Sequence, residues 1–85
     1  MENRVAVMAI IVENTNSVEP LNALLHEYGC YIIGRMGLPY AKRNIALISV
    51  AIDAPQDVIS ALTGKIGNIP HVSVKTVYSK VGERG

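Results

Sequence analysis

Cysteine is nearly absent from this chain: Cys30 is the single one among 85 residues. That excludes an internal disulfide and any cage of several thiolates around a metal. Phenylalanine and tryptophan are missing, and four tyrosines are the only aromatic residues. A sheet that stacks RNA bases displays aromatic side chains on its open face, so that function finds little here. An excess of one charge is also missing. Eight Lys and Arg balance seven Asp and Glu, for a net charge of +1. A nucleic-acid surface needs a concentrated basic patch, so no direct nucleic-acid partner is expected.

Long apolar runs are lacking as well. The longest, Val5 to Val12, has strand length, well short of the roughly 18 residues of a membrane-spanning helix. The first residues do not follow a signal-peptide layout, and a lone thiol suits a reducing compartment. A cytoplasmic location with no membrane partner is expected.

What is present is apolar side chains in unusual places. In a strand, successive side chains point to opposite faces. From Arg4 to Val12, Val5, Val7, Ala9 and Ile11 share one face, and Ala6, Met8, Ile10 and Val12 share the other. Ile45 to Ile52 repeats the pattern, with Ile45, Leu47, Ser49 and Ala51 opposed to Ala46, Ile48, Val50 and Ile52. An antiparallel sheet with helices on one side has a wet second face. Here that face is greasy, and a second copy of the chain is the expected cover. A domain of this size is marginal alone, and oligomerisation is a common remedy.

The remaining elements follow from caps and breakers. Asn14, Thr15, Asn16 and Ser17 are cap formers. With Ser17 as N-cap, Pro20 falls in the first helical turn, where its missing N–H costs little. Val18, Leu21, Leu25 and Tyr28 then line one helical face, with Leu24 beside them. Gly29 is placed to end the helix in a left-handed conformation. Cys30 to Leu38 reads as a strand, with Tyr31, Ile33 and Arg35 on one side and Cys30, Ile32, Gly34 and Met36 on the other. Gly37, Pro39 and Asn44 flank a hairpin connection, and the third strand runs from Asn44 to Asp53. Pro55 suits the first position of a second helix, whose stripe is Val58, Ile59, Leu62 and Ile66. Gly67 and Asn68 end it, and Gly64 inside it is expected to mark a kink or close packing. His71 to Ser79 is the fourth strand.

The order is β-α-β-β-α-β, two strand–helix–strand halves. It predicts an α+β, ferredoxin-like domain over residues 1–80: a four-stranded antiparallel sheet with two helices on one face. Right-handed crossovers put the first and third strands, the doubly apolar ones, in the centre. Residues 81–85 are expected to be a flexible tail.

The chemistry concentrates between His26 and Arg43. Arg35 can grip a carboxylate or phosphate through parallel hydrogen bonds. Gly34 and Gly37 let backbone amides approach a ligand. The plainer reading is a tight turn, a cap and an edge arginine paired to a surface acid. His26 and Cys30 are four apart, and His71 could join them as metal ligands. That is a weak signal beside a true four-ligand spacing, and the plainer reading is a surface histidine and a buried structural thiol. No paired acids, activated nucleophile or phosphate loop is evident, so an enzyme is not expected.

The run His26-Glu27-Tyr28-Gly29-Cys30-Tyr31-Ile32-Ile33-Gly34-Arg35-Met36-Gly37-Leu38-Pro39-Tyr40 resembles a small bacterial family named as regulators of the iron-only hydrogenase system. The run Ile59 to Thr76, including Gly64-Lys65-Ile66-Gly67-Asn68-Ile69-Pro70, is similar to that family too. His71 departs from it, standing where glycine is expected. The resemblance implies an ACT-like domain, akin to the ligand-sensing part of nickel-responsive repressors, and a link to iron-only hydrogenase. It also implies ligand sites near Asn14 to Ser17 and His26 to Tyr40.

The combined expectation is a regulatory homo-oligomer, dimer or tetramer, assembled through the helix-free face. It would bind a small anionic ligand through Arg35, with Tyr40, His26 and the amides of Gly29, Gly34 and Gly37. No cofactor can be named. Alternatives are an interaction module for a hydrogenase-related protein and a metal sensor.

Overall fold

The computed structural model describes residues 2–80. The tail expected at 81–85 lies outside the described residues. Four strands, β1 (Asn3–Val12), β2 (Ile32–Tyr40), β3 (Ile45–Pro55) and β4 (Val72–Tyr78), alternate with two helices, α1 (Val18–Glu27) and α2 (Gln56–Gly67). All pairings are antiparallel and the order is β2-β3-β1-β4. The two doubly apolar strands are therefore central, and the ferredoxin-like α+β arrangement holds.

The helices cover one face. Ala6, Met8, Ile10 and Val12 of β1 and Ile48, Val50, Ile52 and Ala54 of β3 are buried under Leu21 and Leu25 of α1 and Ile59, Leu62 and Ile66 of α2. Burial of one such side chain is worth roughly 1.5–3 kcal/mol. The opposite face is bare. Val5, Val7, Ile11, Leu47, Met36, Leu38 and Val77 remain between 38% and 71% exposed.

Local details depart from the sequence reading. Ser17 stands at the N-cap position of α1 as expected, but with a helical backbone and no side-chain capping bond; its hydroxyl instead donates to the Pro70 carbonyl, at 2.6 Å. Asn14 caps a preceding 3-10 turn, Thr15–Ser17, by accepting from the Asn16 amide. Gly29 is not left-handed, since no described glycine has a positive φ. Tyr28 closes α1, and Gly29–Tyr31 forms another 3-10 turn, so β2 begins at Ile32 rather than Cys30. Pro55 stands one residue before α2, as its N-cap. Nothing lies within 4 Å of a side chain built at Gly64, so close packing does not explain it. Pro39 lies within β2, an edge strand, where a missing N–H is tolerated.

The largest departure is in β2. Its register against β3 slips between Ile32 and Gly34: Ile32 faces Ile52, but Gly34 faces Ala51. One extra residue bulges, and side-chain parity shifts beyond it. Arg35 stands opposite buried Val50 and Gly37 opposite Ile48, on the helix side, whereas Met36 faces Ser49 and Leu38 faces Leu47 on the bare side. Strict alternation had placed Ile32 and Met36 together and Arg35 apart.

Candidate functional site

The length of α1 creates the site. Its ten residues rise about 15 Å. The strands of the neighbouring hairpin have nine and eleven residues and extend about 30–36 Å. The helix layer cannot cover the hairpin, and every β2 residue beyond Ile32 is exposed. Between the start of α1 and the outer hairpin lies a groove of about 450 Å³. Thr15, Val18 and Asn22 form its helical wall, and Arg35, Gly37, Tyr40 and Ile48 belong to its hairpin wall. Gly37 leaves the floor open: a Cβ there would meet only Ile48 Cγ1, at 4.0 Å.

Arg35 enters the groove because the bulge turns it to the helix side. Its Nη2 donates to Asn22 Oδ1 at 2.8 Å. Among the described residues no carboxylate pairs with it, so the acid partner of the plainer reading is replaced by a neutral amide. A guanidinium carries five N–H donors, and most remain for a ligand. Asn22 escaped the sequence reading because its only signal was a place on the polar face of α1.

The six sequence candidates separate. Arg35, Gly37 and Tyr40 come together in the groove. Gly34 lines a neighbouring shallow hollow with Arg35, Met36, Ser49 and Ala51. His26 in the last turn of α1 and Gly29 just after it line none of the three hollows described. Cys30 is exposed, so it is not the buried thiol expected. No three His, Cys, Asp or Glu among the described residues gather as a metal site. His71 has φ 66°, in the left-handed region, which gives the physical reason for glycine at that place.

A second hollow opens on the bare face, lined by Ala9, Ile11, Met36, Leu38, Leu47 and Ser49. Small side chains at its centre make the dip. β2 thus serves two surfaces: Arg35 and Gly37 look into the groove, and Met36 and Leu38 look out over the bare face. No helix among the described residues is long and apolar enough to cross a membrane.

These features define a class: ferredoxin-like α+β domains with one bare sheet face and a lateral groove. Solved structures share that fold at low sequence identity. The C-terminal domain of MgtC from Mycobacterium tuberculosis is 12% identical, with TM-score 0.68, covering 96% of this chain and 94% of that one. CPII from Thiomonas intermedia K12, a nitrogen regulatory PII-like protein, is 18% identical, with TM-score 0.55 and 95% of each chain covered. The protein TM1266 from Thermotoga maritima is 36% identical, with TM-score 0.89, covering 93% of this chain and all of that one. The chain belongs to the TM1266-like family, whose model matches residues 4–76 and is described as "Iron-only hydrogenase system regulator, putative". None of the curated proteins compared matches this chain.

Proposed function

We propose that this chain is a non-enzymatic regulatory module that assembles with copies of itself through the helix-free face and responds to a small anionic molecule held in the groove. The observation that carries this reading is the two-sidedness of β2. Adjacent residues alternate between Arg35 and Gly37 in the groove and Met36 and Leu38 on the bare face. A ligand that favours one position of this strand alters the surface offered to the partner copy, and it shifts assembly only through such a difference. Arg35 holds the charge, Tyr40 adds a polar contact, and Gly37 makes the room. The family description supports a regulatory role over catalysis.

Native mass spectrometry of gently purified protein tests the reading, because it reports subunit number and retained small molecules together. A dimer or tetramer is expected, and Met36→Lys is expected to dissociate it into folded single chains. A folded single chain of the unaltered protein at micromolar concentration would overturn the assembly. The same apolar face also favours a second reading, an interaction module for a hydrogenase-related protein. A stable complex with such a protein, formed without self-association, would favour it.

A further inference from the structure

We propose that the groove is built for a monocarboxylate with an apolar tail, its carboxylate on Arg35 and its tail along the floor opened by Gly37. This deepens the reading of the groove as a ligand site and rests on it. The argument is one of charge and lining. Arg35 is the only charged residue among those lining the groove, and no Asp or Glu joins it. A zwitterionic ligand would find no carboxylate for its ammonium group. A polyphosphate would find one cation where several are needed to offset its charge. A divalent cation lacks ligands, for no metal-binding group forms among the described residues.

Part of the lining is apolar, with Val18, Gly37, Ala46 and Ile48 along the floor, while Thr15, Asn22, Tyr40 and Asn44 bring polar side chains to the walls. A group buried against that apolar floor is favoured as hydrocarbon, because an unpaired polar atom is costly out of water. The size agrees: about 450 Å³ lies at the lower end of pockets that hold small organic ligands. Arg35 is also held in place. Its bond to Asn22 Oδ1 at 2.8 Å fixes one nitrogen, leaving the rest of the planar fork for the paired oxygens of a carboxylate.

Calorimetric titration of the full chain with butanoate, hexanoate and octanoate, beside octanol and octylamine, tests the assignment. Octanoate is expected to bind about tenfold or more tightly than octanol, the advantage of a charge-assisted bond. Each added methylene is expected to contribute about fourfold until the floor is filled. Arg35→Gln should erase the preference for carboxylate over alcohol, and Gly37→Leu should abolish binding of every probe. Equal binding of octanoate and octanol, unchanged affinity in Arg35→Gln, or no binding of any probe would overturn the inference. Octanol binding as tight as that of octanoate, and removed by Gly37→Leu, would sink the carboxylate assignment while keeping the groove as a ligand site. The subunit count from native mass spectrometry reads the regulatory assembly separately. Arg35 lies exposed on an edge strand, so its variant remains informative should Gly37→Leu fail to fold.

Discussion

The two edge strands of the sheet meet opposite fates. β4 lies under α2 and is tied to it: Thr63 and Thr76 share a hydrogen bond of 3.1 Å, and Gly67 approaches Val74. Its residues alternate between half-buried and exposed along its whole length. β2 has a helix over its beginning only, carries a bulge, and is exposed from Ile33 to Tyr40. One edge is scaffold and the other is surface on both sides. Binding features belong on the second kind, because a strand without a helical lid keeps room beside it.

The largest test of that contrast compares two leucines. Leu62→Ala, on the buried face of α2, is expected to cost about 2–5 kcal/mol, enough to unfold much of so small a domain. Leu38→Ala, 61% exposed on β2, is expected to cost the isolated chain less than about 0.5 kcal/mol. Urea unfolding measures both. If copies cover β2, the Leu38→Ala loss grows with protein concentration; a loss as large as that of Leu62→Ala in the dilute chain would break the contrast.

A middle-sized effect concerns the turns that deliver each edge. His71, before β4, and Asn44, between β2 and β3, both have positive φ, at 66° and 57°. His71→Gly is expected to stabilise by about 1 kcal/mol through relief of left-handed strain. Asn44→Gly should gain less, because asparagine tolerates that region better than most residues. Thermal melts of both variants rank them, and an Asn44→Gly gain exceeding that of His71→Gly would contradict the ranking.

The smallest effect lies at the end of α1, where Lys65 Nζ sits 5.2 Å from the Tyr28 ring centroid. Hydrogen bonding to Tyr28, then its charge, raises the Lys65 pKa above the ordinary 10.5. A raised lysine contributes its stability below the ordinary value and loses it as pH rises through the folded value. Tyr28→Phe should therefore return the Lys65 titration, followed by NMR, towards 10.5, with a small loss of stability at neutral pH that disappears at strongly alkaline pH. An unmoved titration would assign the shift to another cause.

The legible parts of this molecule were those governed by repetition. Alternation in β1 and β3 separated the buried from the bare face, and the Ile59–Leu62–Ile66 stripe identified the inward side of α2. What escaped were single-residue and long-range events. The bulge has no clear signal, since Ile32 and Ile33 are alike and either can face the core. The Ser17 bond joins residues 53 apart in sequence, and a capping residue type pointed to the nearer use. Arg35 and Tyr40 were legible as unusual residues near glycines. Their meeting with Asn22 was not, because it follows from a helix shorter than its neighbouring hairpin.

The slip at Ile33 amounts to a one-residue phase change written into the chain. Were pairing to run on without it, Arg35 would stand opposite Ser49, and Met36 opposite Ile48. The cation would then stud the greasy surface while the thioether plugged the groove. Insertion or loss of one amino acid is therefore enough to exchange what both sides of β2 present at once, with the central strands untouched.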